Sequence, residues 1–505
     1  MGRDLNIARA HRRDYAGCPE DSGTGELRGA RLPEEQGARP SASKGLLVIA
    51  SDFPPLTGTN TQRVQSFVRH LPDFGWNCRV VTQAVEDMGW IDSGELEHIP
   101  ESVIVDRVPS PDPFAVRRRR LGMRPLDIHA AEAHRPDPGN GPHEGKSARG
   151  LIPLGRRVIS GLLFMALDYG WYIPDSTRPW ADAAVHRARG VIAEEAPDAL
   201  LTSCPSYSSH VAGLKVKRRT GVPWVVDFRD LWVNRPGREL RTRFHALRDR
   251  RLEALVLQEA DGVVVASPAW EEELVRRYGD WVRKKMVWVS NGYDPAKDPF
   301  SRVPNKGRER RGAGAGIRFV YTGAMDSSVS PAPFLEALGL FKQRSPEAVA
   351  RFEVRLIGHG ESEKDRLAAI VREYGLQEQV AISGPQSHER CLEEQAEADV
   401  LLLFSAPCHQ HTITGKSFEY MRSGKPVLAM LPETGIQAQL LRSANMAWIF
   451  DYRDTDGVQG ILGWLARGSG SPRVNPNWEY IRQFDRRALS AKLARLLDTV
   501  TGADG

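Results

Sequence analysis

The sequence predicts an α/β protein of two successive, doubly wound Rossmann-like units, and three observations carry that expectation. Short apolar runs alternate with stretches of helical period, the pattern of strands buried on both faces and joined by crossover helices. Many of these runs end in loops bearing Gly, Pro, Ser, Asn or Asp, where open α/β sheets bind their ligands. Residues 295–316, rich in Pro, Gly and charge, interrupt the alternation once and read as a linker.

With 505 residues, the chain has material for about two to four domains with sizeable cores. Hydrophobic residues make up 41% and charged residues 26%, the balance of a soluble globular chain. A formal net charge of +5 is small for this length and argues against nucleic acid as the dominant partner. The cysteines (Cys18, Cys78, Cys204, Cys391 and Cys408) are odd in number and lack C-x-x-C spacing. Neither a disulfide framework nor a zinc ribbon is expected, and a reducing cytosol fits. The polar first stretch carries no signal-peptide pattern, and the apolar run at 158–167 is too short to span a bilayer.

Residues 1–43 have no apolar period and read as a disordered arm, so the first unit is placed at 44–300. It opens with a strand at 46–50, a loop S-D-F-P-P-L-T-G-T-N-T, and a helix face of Val64, Phe67, Val68 and Leu71. A strand at 79–82 completes a β-loop-α-β opening. Gly58 lies in that loop and reads either as a turn glycine or as a point of close backbone approach; no G-x-G-x-x-G accompanies it. A loop-like insertion at 110–150 holds the run Arg117 to Arg120. Then Arg156 and Arg157 precede V-I-S-G-L-L-F-M-A-L-D-Y-G-W-Y. That segment reads either as a core helix or as an interfacial helix on an anionic membrane. Strands follow at 199–202, 223–226, 262–266 and 286–289, the second ending in D-F-R-D-L-W and the last in S-N-G-Y-D. Between them, 239–259 is expected as an amphipathic helix with Leu240, Phe244, Leu247, Leu252, Leu255 and Val256 as its apolar positions.

The second unit, 317–475, carries strands at 318–322, 353–357, 379–382, 400–404, 427–430 and 447–450. A terminal segment, 476–499, has no strand after it and must pack on a surface already built. Within this unit, T-I-T-G-K-S-F-E-Y-M-R-S-G-K-P-V predicts a short helix between two strands, with Thr414 as N-cap and Gly424 as C-terminal stop. Lys416 falls in its first turn, after Gly415, where the helix dipole disfavours a cation. Its order relative to Glu419 is also the poorer one for a helical ion pair. Either the lysine is simply solvated, or an anion at the helix N-terminus makes the placement favourable.

Other polar candidates are open at this stage. Asp227, Arg229 and Asp230 in D-F-R-D sit at a strand end, as a structural network or a ligand site. His210 is a lone histidine near a helix start. Asn291-Gly292 reads as a tight turn, a hinge or a ligand contact. His409-Gln410-His411 has no third ligand at sensible spacing, so no metal is expected, and Asp454-Thr455-Asp456 is better explained as a helix cap.

From residue 45 to about residue 497 the chain resembles the family 4 glycosyltransferases, retaining nucleotide-sugar enzymes of the GT-B fold. The resemblance rests on D-F-P-P-L-T-G-T-N-T-Q-R-V, P-S-Y-S-S-H, D-F-R-D-L-W, V-S-N-G-Y-D, V-Y-T-G-A-M and T-G-K-S-F-E-Y-M-R-S-G-K-P-V in this order. The set is most similar to the bacterial branch that builds surface polysaccharides and glycolipids. It implies two Rossmann-like domains facing a cleft, the donor on the C-terminal one and the acceptor on the N-terminal one, with the last helix crossing back. By the same resemblance Glu419 holds the donor ribose, Gly58 lies near the diphosphate and transferred sugar, and His210 lies near the sugar. No metal or other cofactor is implied. The partners are a nucleotide-sugar donor and a saccharide or lipid-linked acceptor, with peripheral contact to the inner face of an anionic membrane.

Three positions depart from that pattern. The family's first glutamate, eight positions before Glu419, is His411 here; its second loop glycine is Thr59; and the loop opening at Gly323 reads G-A-M-D-S-S-V-S-P, without the usual Arg and Lys. Lys416, with Arg229 or Arg63, is therefore the expected counter-charge for the diphosphate, with Asp227, Asn291, Thr414 and Gly415 also near the donor. A catalytically degenerate GT-B scaffold and a nucleotide-sugar epimerase are the competing readings.

Overall fold

The computed structural model describes residues 43–56, 58–84, 93–111, 173–233, 242–295, 316–326, 329–358, 360–468 and 472–502. The expected arm, the basic-then-apolar segment before residue 173 and nearly all of the linker lie outside these residues.

The first sheet contains β1 (Lys44–Ile49), β2 (Trp76–Gln83), β3 (Ile104–Val108), β4 (Ala199–Ser203), β5 (Trp224–Phe228), β6 (Gly262–Val265) and β7 (Met286–Trp288). The strands are parallel, in the order β3-β2-β1-β4-β5-β6-β7. The second sheet contains β8 (Ile317–Thr322), β9 (Phe352–Ile357), β10 (Val380–Ser383), β11 (Val400–Phe404), β12 (Val427–Met430) and β13 (Ala447–Phe450). It too is parallel, in the order β10-β9-β8-β11-β12-β13. Central strands such as β4, β5, β8 and β11 are buried at every residue because helices cover both faces, hence their unbroken apolar runs.

Each sheet reverses its strand order at one place, between β1 and β4 in the first and between β8 and β11 in the second. The chain leaves these neighbours toward opposite faces, which opens a crevice at their carboxyl ends where such sheets bind ligands.

The terminal helix, Arg486–Thr501, buries Leu489, Leu493, Leu496 and Leu497 in the core of the first sheet, beside Val64, Phe67, Val68 and Leu71. The spacing of these leucines makes one apolar stripe that only an existing hydrophobic surface can cover. At the crossover, Tyr293 N–H donates to the Phe484 carbonyl (3.1 Å) and Arg486 N–H to the Tyr293 carbonyl (3.1 Å). A Cβ on Gly292 would lie 2.2 Å from the Phe484 oxygen, so the two chains meet this closely only with glycine there.

Two expectations are corrected. β3 was not expected, because Asp106 and Arg107 break its short apolar run, and its first residue, Ile104, is 53% exposed. Charge holds this edge strand, through Asp106 accepting from Arg79 (2.7 Å) and Arg187 (2.9 Å). The helix expected at 239–259 spans Arg243–Glu259; Val256 is buried and Leu252 and Leu255 pack against the core as expected, but Asp249 and Glu253 are also buried, while Phe244 and Leu247 face solvent. Donors on its inner side decide this. Trp232 Nε1 reaches Asp249 (3.1 Å), while Val233 N–H (3.1 Å), Arg277 (2.5 Å) and Tyr278 (2.6 Å) converge on Glu253. Burial pushes the Glu253 carboxyl up against the pull of Arg277.

One ion pair ties this architecture together. Arg63 and Asp227 are 2.7 Å apart with 3% and 0% of their side chains exposed. The guanidinium also donates to the carbonyls of Val289 (2.7 Å) and Ser290 (2.8 Å), and Ser203 Oγ donates to Asp227 (2.7 Å). Replacing Arg63 with Met strands a buried carboxylate, and a loss of about 3–5 kcal/mol is expected in urea unfolding. A loss below ~1 kcal/mol, the level of a surface pair, contradicts this assignment.

Candidate functional site

At the second switch point, Gly323 follows the end of β8, and β11 leads toward the helix Gly415–Ser423. Thr414 is its N-cap residue, as expected, but its side chain makes no capping bond. Thr414 Oγ1 contacts Ser417 Oγ (3.3 Å) and accepts from Gln437 Nε2 (3.3 Å) instead. The first N–H groups of this helix are thus uncapped, with no acidic residue in the first turn, which is the electrostatic form of an anion site. Gly424 ends the helix at φ 65°, as its position predicts.

Lys416 does not extend into solvent. Its Nζ donates to Tyr321 Oη (2.7 Å) and lies 4.1 Å from that ring's centroid, while Tyr321 donates to the Ala324 carbonyl. Gly323 (φ 131°) makes the space, since a Cβ there would sit 2.6 Å from Nζ. The other two N–H donors of the ammonium have no protein acceptor among the described residues. Desolvation lowers the lysine pKa to about 8, opposed by the charges of Glu419 and Asp326.

One turn on, Glu419 accepts from Gln395 Nε2 (3.2 Å) and lies 3.8 Å from His388 Nε2. Gln395 also donates to Thr322 Oγ1 (2.9 Å), fixing this carboxylate to the end of β8. After β9, Gly358 and Gly360 pack against the carbonyls of Gly323 and Met325, so close that a Cβ at either would overlap them.

The first switch point holds Gly58 and His210. Gly58 (φ 135°) is the N-cap of the helix Thr59–His70, which has neither a capping side chain nor an acid in its first turn. Behind it, Asn60 Oδ1 and Thr61 Oγ1 are buried without partners. His210 is fully buried against Phe228, its Nδ1 2.8 Å from Thr202 Oγ1. Thr202 Oγ1 also accepts from Trp224 Nε1 (3.1 Å), and in the tautomer where Thr202 donates to Nδ1 the ring's proton lies on Nε2. That N–H is buried and unpartnered. Burial lowers the His210 pKa to about 4, so the ring is neutral at pH 7 and acts as a hydrogen-bond donor, not as a cation.

Several expected site residues have other duties. Arg63 and Asp227 are corrected to structural roles: every guanidinium N–H is committed, including one to Asn291 Oδ1 (3.4 Å), and Asp227 is sealed from solvent. Arg229 pairs with its neighbour Asp230 through one terminal nitrogen (3.0 Å), and its Nε is buried without a partner. His411 is exposed beside Gln410, and no metal-ligating cluster of His, Cys, Asp or Glu gathers among the described residues. Asp454 caps its helix by accepting from Gly457 N–H (2.8 Å).

Sequence reasoning missed Tyr321, Gln395, His388 and Arg486. Arg486 lines a small cavity at the crossover with Arg63, Ser66 and Asn291, and donates to Gln62 (3.1 Å) and the Gly292 carbonyl (3.2 Å). Burial lowers the pKa of this guanidinium, opposed by the charges of Asp294 and Glu419. Only the Gly-x-Gly after β9 was a readable signal; the others are ordinary residues of strands and helices.

Residues 58–292 match the model of the glycosyl transferase 4-like domain, and residues 316–465 match that of glycosyl transferases group 1. No curated protein matches the chain by sequence. Among solved structures, HepE of Anabaena in complex with UDP-glucose is similar at 14% identity and TM-score 0.55, over 90% of this chain and 100% of that one. Sucrose-phosphate synthase of Thermosynechococcus elongatus is similar at 16% identity and TM-score 0.54, over 91% and 100%. The lipopolysaccharide outer core galactosyltransferase WaaB is similar at 13% identity and TM-score 0.52, over 90% and 99%. At these identities the structures show the shared fold.

With its pKa lowered to about 8, Lys416 is half deprotonated near that pH when no anion is bound, and a diphosphate beside it would hold the proton. Nucleoside diphosphate affinity is therefore expected to fall as pH rises above about 8, by up to about ten-fold per pH unit. Lys416→Arg, which keeps its charge, removes this step. Calorimetry across this range checks both, and a flat wild-type profile contradicts the contact.

Proposed function

This chain is a GT-B glycosyltransferase, with a glycosyl transferase 4-like half followed by a group 1 half, and from that premise we propose a specific reaction. It moves a sugar from a nucleotide-sugar donor to a saccharide or lipid-linked acceptor with retention of configuration. The reading extends to the assembly of surface polysaccharide or glycolipid at the cytoplasmic face of the cell membrane. What supports it most is Lys416, an ammonium held against Gly323 with two unused donors at an uncapped helix start.

The donor's diphosphate lies at that helix N-terminus, and Glu419 takes the ribose hydroxyls, braced by Gln395. As the bond between C1 and the leaving oxygen breaks, negative charge grows on the diphosphate. Lys416 and the free N–H groups are already oriented to stabilise it, without the reorganisation that water requires. The acceptor hydroxyl attacks C1 from the face the diphosphate leaves. Its proton passes to a donor phosphate oxygen, and nucleoside diphosphate departs. His210 Nε2–H, neutral and unpartnered, donates to a hydroxyl of the transferred sugar. Gly58, with no Cβ, lets the first loop close on the diphosphate. In this reading the lysine and helix terminus supply the counter-charge that a metal ion supplies elsewhere.

Lys416→Ala is expected to lower kcat by about 10²-fold or more, the scale of losing one preorganised electrostatic group. Glu419→Ala is expected mainly to weaken nucleotide binding, read by calorimetry, and unchanged affinity contradicts the ribose contact. Donor screening by thermal shift, followed by transfer assays on lipid-linked acceptors, tests the reaction itself. Turnover without any acceptor points to the epimerase reading; donor binding without transfer or hydrolysis points to the scaffold.

A further inference from the structure

Over residues 243–251 the helix Arg243–Glu259 has an outward face that neither the core nor the donor site uses. At 100° per residue, Arg250, Arg243, Leu247, Arg251, Phe244 and Arg248 fall within one arc of roughly 160°. All six are exposed, Phe244 by 55% and Leu247 by 51%. The helix's buried acids, Asp249 and Glu253, point away from this arc, so four arginines stand together with no carboxylate among them. None of the four forms an ion pair among the described residues, and Arg248 lies 5.8 Å from the Phe244 ring centroid.

A solvated helix face normally alternates its charges and hides its large apolar groups. This face reverses both habits. Like-charged arginines repel one another and gain from a surface of opposite charge, while Phe244 and Leu247 gain only where water is displaced. An anionic bilayer interface offers both, since phosphate groups lie just above the acyl chains. A nucleic acid satisfies the arginines and not the apolar pair. Position adds to the argument: this helix is the crossover between the parallel strands β5 and β6, so its first turns lie on the carboxyl side of the first sheet, where the acceptor is read to bind.

We propose that the outward face of the helix Arg243–Glu259 docks the enzyme on an anionic lipid bilayer and brings the cleft to a lipid-linked acceptor. This rests on the lipid-linked acceptor reading above and names the surface that serves it.

The test is flotation of the full chain with vesicles of phosphatidylcholine, with and without phosphatidylglycerol. Binding is expected only to the phosphatidylglycerol vesicles, and salt is expected to weaken it. The double variant Arg248→Ala/Arg251→Ala is expected to lose about 25-fold in affinity, at roughly five-fold per arginine. Phe244→Ser/Leu247→Ser is expected to lose about ten-fold or more, the cost of withholding two apolar side chains from the interface. All four positions are exposed, and thermal shift with nucleotide sugars shows whether each variant retains fold and donor site. Equal binding to both vesicle types, variants that float like the wild type, or preference for a duplex oligonucleotide overturns the proposal. Loss of vesicle binding with donor binding intact removes the docking surface alone. Vesicle binding by a chain that binds no nucleotide sugar removes the transferase reading instead.

Discussion

The buried pair of Arg63 and Asp227 is the constraint on which the first unit depends. A carboxylate at the end of β5 and a guanidinium from the helix after β1 are costly to bury singly, and each is satisfied by the other. The remaining donors of Arg63 take the carbonyls of Val289 and Ser290, so the chain leaving β7 is fixed where it turns toward the second unit. The crossover pairs immediately beyond, between residues 293 and 484–486. A charged cluster that looks like ligand chemistry in the sequence is in this way the pin that sets where the two units join.

On that frame, the switch points divide the labour. The first presents a glycine, an uncapped helix start and a neutral histidine, groups that donate hydrogen bonds without carrying charge. The second concentrates charge in Lys416 and Glu419, held in place by Tyr321 and Gln395. Desolvating an ammonium is unfavourable, in keeping with its lowered pKa, and an anionic ligand beside it would reverse the balance.

Much of this was legible in advance. The apolar runs located twelve of the thirteen strands, because strands covered on both faces must be continuously apolar. The misplaced cation in T-G-K-S-F-E was legible too, since helix electrostatics is local. The helix Arg243–Glu259 was misread in part because the burial of Asp249 and Glu253 is set by Trp232, Val233, Arg277 and Tyr278, residues as distant as 25 positions in sequence. Edge strand β3 escaped because charged residues interrupt its apolar run, and the ion pairs of Asp106 with Arg79 and Arg187 that help hold it join positions far apart in sequence.

The sequence by itself determined the two-unit α/β class, the loops at the strand ends and Lys416 as a cation in the wrong place, since periodicity, turn chemistry and helix dipoles act over a few residues. Only the tertiary structure decided which charges are spent. Arg63, Asp227, Arg229 and Lys416 are equally polar residues at strand or helix ends. Three find opposite charges within 3.0 Å once the chain folds, while Lys416 meets a neutral phenol and keeps two donors free. Pairing of that kind depends on neighbours brought from up to 164 positions away, a separation no local pattern encodes.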